Sequence, residues 1–175
     1  VWTNPPLFVF HGTDLESARA ILSPAEGRDH AINLTSCRAN TEFGPGFYVT
    51  TVERQAQDWA DGRTKRKTPG RMAAMIRFEI ERDGLARCAD LVFSNPAGGD
   101  DYWTFVHHCR MARLPVHGRK APFDVVVGPV SLWPQRQLMR DCDQIGFHTE
   151  RSLAELRRPT IITPRGGMLF RSEPP

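Results

Sequence analysis

The run Asp124-Val125-Val126-Val127-Gly128-Pro129-Val130 limits the architecture more than any other stretch of the chain. Consecutive β-branched residues are stiff at χ1 and favour extended backbone. A short apolar run bounded by turn residues reads as a strand buried on both faces. The fold must therefore supply a sheet with both sides covered. Shorter strand signals recur at Leu7–Phe10, Phe47–Thr51, Met72–Ile80, Leu91–Phe93 ahead of a Gly-rich turn, and Gln144–His148, with a further one from Thr160 before a Pro-rich end and a short one at Ala31–Leu34. Helical periodicity or composition marks Asp14–Leu22, with Thr13 or Asp14 as cap, then Val52–Ala60 capped by Thr51, and Asp100–Met111. Gln135–Asp141 reads as a helical turn, Ser152–Arg157 as a short helix and Gly62–Gly70 as a charged loop. Strands outnumber helices, the regular strand–helix repeat of a doubly wound fold is missing, and so is the Gly-x-Gly-x-x-Gly of a Rossmann nucleotide site. The class expected is α+β.

At 175 residues the chain is the size of one domain, 1–175, and can bury a core without disulfide staples. No apolar run reaches the ~20 residues of a membrane-spanning helix. The opening Val1-Trp2-Thr3-Asn4-Pro5-Pro6 lacks a signal-peptide pattern, and no compartment follows from it. A formal net charge of +3 is too mild to argue for nucleic acid. The densest basic stretch, Arg63, Lys65, Arg66, Lys67 and Arg71, reads as a solvated loop or as a clamp on phosphates or an acidic partner. Cys37, Cys88, Cys109 and Cys142 form no Cys-x-x-Cys pair. His107-His108-Cys109 point apart around a helix, so no metal is expected. The cysteines are compatible with free thiols or with two disulfides.

Three segments carry the chemistry. They are Phe10-His11-Gly12-Thr13 where a strand ends, Phe43-Gly44-Pro45-Gly46-Phe47-Tyr48, and Asp143-Gln144-Ile145-Gly146-Phe147-His148-Thr149-Glu150. Singly each has a plain structural reading: a histidine satisfying a turn carbonyl, a hairpin turn before an aromatic strand, a polar residue opening a strand. Together, in this order and spacing, they resemble the ADP-ribosyltransferases of the histidine–tyrosine–glutamate type, the group of diphtheria toxin and the poly(ADP-ribose) polymerases. The resemblance is strongest to a small bacterial and fungal branch in which Phe-Gly-x-Gly-Phe-Tyr is followed by Ala-x-x-Trp-Ala, here Ala56-Gln57-Asp58-Trp59-Ala60. It covers most of residues 7–157.

The resemblance implies two packed, mainly antiparallel sheets with flanking short helices, and NAD as the substrate cofactor, without a metal. Its NAD-binding residues here would be His11, Gly12, Thr13, Phe43, Gly46, Phe47, Tyr48 and Trp59. Tyr48 would stack on the nicotinamide with Trp59 closing the other face. The Gly12 backbone would hold the carboxamide, and His11 a ribose hydroxyl. The catalytic set would be His11, Tyr48, Gln144 and Glu150, the last as the candidate acid ahead of Asp143. Three positions depart from the pattern. Gln144 stands where glutamate is usual, so it can accept a hydrogen bond but carries no charge and cannot act as a base. This points to mono- rather than poly-ADP-ribosylation. Ala56 replaces a serine that contacts the carboxamide. Cys142 stands where arginine-modifying enzymes carry a second glutamate, which disfavours an arginine acceptor. A serine or threonine hydroxyl remains, with Glu150, Asp143 or His148 as base; related effector domains modify a threonine of ubiquitin. The basic stretch or the Asp100-Asp101-Tyr102-Trp103 segment would dock such a protein. The partners expected are NAD and a protein acceptor, with no nucleic acid and no membrane, on a monomer. The alternatives are an NAD glycohydrolase, a catalytically weak NAD- or ADP-ribose-binding module, and a nucleic-acid modifier.

Overall fold

The structure is a computed structural model; it describes residues 4–23, 29–94 and 99–171. Two compact units divide the chain, one comprising Val1–Asn4, Asn33–Tyr48 and Glu81–Glu155, the other Pro5–Ile32, Val49–Ile80 and Leu156–Pro175. The class is α+β: two sheets and a few short helices.

The second unit is built on a three-stranded antiparallel sheet in the order β1 (Leu7–Asp14), β3 (Ala73–Ile80), β7 (Arg157–Ile162). Alternation divides its faces. Phe10 and Gly12, with Met75 opposite Gly12, share the face against which Ala56 packs. Val9, His11 and Thr13, opposite Phe78, Ile76 and Ala74, share the other. Ala56 belongs to α2 (Glu53–Arg66), which lies so close to β1 that a Cβ at Gly12 would collide with the Ala56 carbonyl and sit 3.0 Å from the Ala60 amide nitrogen. Asp14 ends β1 and caps α1 (Leu15–Ile21), accepting from the Ser17 amide at 3.0 Å. Its fully buried carboxylate also accepts from Arg63 at 2.9 Å and Arg71 at 3.3 Å. Asp61 of α2 accepts from the Phe170 and Arg171 amides and fastens the C-terminal stretch.

The first unit carries a four-stranded sheet in the order β2 (Phe47–Val49), β6 (Leu138–Phe147), β5 (Val125–Ser131), β4 (Asp90–Val92). β5 and β6 are antiparallel, whereas β4 and β5 are parallel. Val126 and Gly128, opposite Gly146 and Gln144, share one face. An aromatic core of Phe43, Tyr102 and Val106 covers it, the last two from α4 (Asp100–Arg110). On the other face Val125, Ile145 and Phe147 are buried. The Val-Val-Val run is therefore buried on both sides, as its composition requires. Two short helices, α3 (Arg82–Leu85) and α5 (Glu150–Leu153), complete the unit.

Several local expectations are corrected. Residues 62–66 continue α2 instead of forming a loop, because Asp14 draws Arg63 into the packed side of the helix. Val52, not Thr51, caps α2, and the Thr50 hydroxyl accepts from the Val52 amide at 3.0 Å. Residues 138–141 are strand, held by the Ser131–Leu138 pairing, instead of a helical turn. A strand at Ala31–Leu34 gives way to a 3₁₀ turn, Leu34–Ser36, capped by the Asn33 side chain. The late helix begins at Glu150 under a Thr149–Ser152 capping box, which leaves Arg157 to β7. The Gly-rich turn expected after Phe93 lies at residues 95–98, outside the described residues, as do residues 1–3 of the leader reading and the Pro-rich end at 172–175.

Candidate functional site

The Phe43–Tyr48 segment is a preformed turn. Gly44 adopts φ +84°, a left-handed conformation that favours glycine. The Tyr48 hydroxyl donates to the Gly44 carbonyl at 2.6 Å, lies 2.9 Å from Thr41 Oγ1 and accepts from the Phe43 amide at 3.0 Å. The ring is half-buried, and burial pushes its phenol above the ordinary range, so it stays protonated. Phe43 is wholly buried, its ring among Tyr48, Phe93, Tyr102 and Phe105. It acts as a packing element beneath the turn. Phe47 is also buried.

Tyr48 and Gln144 come to one face of the sheet. A Cβ at Gly146 would lie 3.3 Å from Tyr48 Cε1, and Gln144 sits two residues along the same strand. Gln144 is only 3 % exposed, and its amide donates to the Pro129 carbonyl at 2.9 Å. That carbonyl also accepts from the Tyr102 hydroxyl. Tyr102 donates in turn to Glu42 at 2.6 Å. Glu42 accepts further from the Ser131 amide and from Arg110. Gln144 is thus one end of a buried polar chain. Glu150 stands apart on the exposed first turn of α5, where its charge complements the helix dipole. Asp143 points to the face opposite Gln144 by alternation.

His148 and His117 are the residues sequence reasoning underweighted. His117 donates from Nε2 to the Phe43 carbonyl at 2.8 Å and accepts at Nδ1 from the Phe123 amide at 3.0 Å, so both nitrogens are used by the neutral ring. Burial, then the nearby charges of His108 and Arg119, lower its pKa against the Phe43 hydrogen bond. His148 packs edge-on against it, with ring centroids 4.6 Å apart. His148 Nδ1 donates to the Pro45 carbonyl at 2.8 Å, and burial lowers its pKa to about 4. It is too enclosed to serve an acceptor hydroxyl as base. The sequence signal that could have found it is the pair of glycines, Gly46 and Gly146, that make room for it.

In the second unit His11 is half-buried in mid-strand, paired with Ile76, because β1 runs on through Asp14 instead of turning at Gly12. By alternation it lies on the face opposite α2. Thr13 is buried. Trp59 is 37 % exposed on α2 and is not a core residue. β1 is an edge strand, and its outer edge meets Thr50. Phe10 donates to the Thr50 carbonyl at 2.8 Å, and Thr50 donates back at 2.9 Å. Strand alternation sends the Gly12 N–H and C=O to that same edge.

The basic stretch is partly neutralised, since Arg63 and Arg71 hold Asp14 and Arg71 also holds Glu16 at 2.7 Å. Asp100 and Trp103 line a groove of about 560 Å³ with Thr104, His107, Trp133 and Arg136. No disulfide joins the four cysteines. Among the described residues no group of three or more His, Cys, Asp or Glu side chains could hold a metal, and no helix is long and apolar enough to cross a membrane.

No curated protein matches the chain. A family profile described as "Protein of unknown function (DUF3990)" matches residues 29–132, a span that holds the Tyr48 turn, Trp59, α4 and β5. That is more than half of the sequence, and the chain belongs to the DUF3990 family.

Proposed function

We propose that the chain is an NAD-dependent mono-ADP-ribosyltransferase acting on a protein hydroxyl. The observation that carries this reading is the outer edge of β1. There Gly12 presents an N–H and a C=O side by side, next to the bridge between Phe10 and Thr50. A carboxamide carries the complementary acceptor and donor, so nicotinamide fits this edge as a short strand would. Trp59 on α2 offers an exposed ring for stacking. On the family resemblance Tyr48 is the ring that stacks on nicotinamide, and its hydroxyl is already committed within the turn. His11 supplies a donor for ribose.

In the reaction the bond from ribose C1′ to the nicotinamide nitrogen breaks, and its electron pair leaves with nicotinamide. The acceptor oxygen then bonds to C1′ and gives up its proton to a base. Glu150, exposed on α5, is the acid proposed to take that proton. Gln144 is neutral and already hydrogen-bonded, so it contributes orientation without charge. This suits a single transfer better than chain extension. The acceptor is a serine or threonine hydroxyl, with a threonine of ubiquitin as the first to try. The Trp103–Trp133 groove is the acceptor-docking surface.

The test incubates the protein with NAD, with and without ubiquitin or a cell lysate, and follows nicotinamide release together with protein-bound ADP-ribose. We expect both, each reduced by about 100-fold or more in His11→Ala and Tyr48→Ala. Free ADP-ribose as the sole product would make the protein a glycohydrolase. No nicotinamide release despite NAD binding would make it a binding module. Absence of NAD binding would overturn the reading.

A further inference from the structure

The imidazole of His148 occupies a slot that two glycines leave open. A Cβ at Gly46 would stand 2.6 Å from its Nδ1, and a Cβ at Gly146 would stand 2.6 Å from its Nε2. Its Nδ1 is spent on the Pro45 carbonyl, in the middle of the turn that carries Tyr48. Its ring meets the Tyr48 ring edge-to-face at 6.0 Å, and His117 closes its other side. Its Nε2 is buried with no hydrogen-bond partner. A plain core position would hold an apolar ring here and avoid leaving that acceptor unpaired. The imidazole is retained at that cost, and the one bond it makes holds the turn.

We propose that His148 is a positioning residue for NAD: its Nδ1–H bond to Pro45 fixes the Gly44–Gly46 turn and thereby the Tyr48 ring. This rests on the NAD reading above, because Tyr48 is the group through which it acts. Both functional nitrogens of the site's histidine pair are then assigned. His117 anchors the Phe43 end of the turn, and His148 anchors the Pro45 end. The donor has to stand at the Nδ1 position. Asparagine places its amide nitrogen there, whereas glutamine places it where Nε2 now lies, and phenylalanine fills the slot with no donor.

The experiment measures NAD affinity by calorimetry in wild type, His148→Asn, His148→Phe, His148→Gln, Tyr48→Ala and the His148→Phe/Tyr48→Ala double variant, with folding checked by circular dichroism. His148→Phe and His148→Gln should weaken binding about tenfold, while His148→Asn stays within about threefold. The double variant should bind no worse than Tyr48→Ala alone, because the two residues act through one ring. Additive losses, or His148→Phe binding like wild type, would overturn the proposal. If the wild type takes up no NAD, the functional reading fails by itself. The positioning claim is then decided by amide hydrogen exchange across Gly44–Tyr48, which His148→Phe must speed and His148→Asn must leave in place; unchanged exchange in His148→Phe rejects it.

Discussion

An alanine at position 12 would drive its Cβ into the Ala56 carbonyl and the Ala60 amide of α2. Neither atom can rotate away, since both belong to helix backbone. Gly12→Ala should therefore cost about 2 kcal/mol or more in urea unfolding, in the upper range for overpacking. A loss under ~0.5 kcal/mol would mean that α2 does not lie this close to β1. The glycine thus has a packing reason to be there, independent of any carboxamide. Gly46 and Gly146 are the same kind of residue in the other unit, but what they admit is a side chain, His148, instead of a helix. At this scale the polar residues divide into those bound up in structure, such as Gln144 and His117, and those with surface to offer, such as Trp59 and Glu150.

At the scale of elements, the loop before β2, the helix α4 and the strand β5 are joined by one carboxylate. Glu42 is 4 % exposed and accepts from Tyr102, Arg110 and the Ser131 amide. Removing it leaves the buried Ser131 amide without that acceptor, takes from the Tyr102 hydroxyl its shorter bond and leaves the partly exposed Arg110 without its ion-pair partner. Glu42→Ala should cost about 2–3 kcal/mol in denaturant unfolding. A loss below ~1 kcal/mol would show that solvent replaces the carboxylate and that the three elements are not tied there. The length of α2 belongs to the same scale. Composition past Ala60 is charged and looks like a loop, yet Arg63 reaches Asp14 and Asp61 holds the Phe170 and Arg171 amides. Tertiary partners extend the helix where propensity by itself would have ended it.

For the whole molecule, two of the groups that shape the response to acid are the buried His148 and Asp14. His148, ordinarily near 6.5, is held at about 4 by burial, opposed by the Pro45 hydrogen bond and reinforced by His117. The unfolded chain therefore takes up that proton first. The stability from the neutral ring is complete above about pH 6.5 and is lost as pH falls toward about 4. Asp14 moves the other way. Burial raises its pKa, but the Ser17 amide and Arg63 outweigh this and bring it from 3.8 to about 2. Its contribution is complete above about 3.8 and is lost toward about 2. Between about pH 6.5 and about pH 4 the unfolding free energy from urea titrations should fall by roughly 2–3 kcal/mol more in wild type than in His148→Phe. Equal slopes in the two proteins would remove His148 as the cause.

The sequence by itself determined the class and the placing of most elements. The Val125–Val127 run, the Met72–Ile80 alternation, the cap at Asp14 and the turn at Gly44 are local signals, carried by side-chain stiffness, period and backbone freedom. It also picked out the three segments on which the functional reading stands. Only the tertiary structure decided what those residues do within the fold. That Gln144 is buried and bonded to Pro129, that Phe43 is core, and that Trp59 is exposed depends on neighbours far along the chain. The same holds for residues 138–141, strand because Leu138 pairs with Ser131, and for His148, whose slot needs Gly46, a hundred residues away. Burial and pairing are properties of long-range contacts, and no local pattern encodes which distant residue will fill a given space.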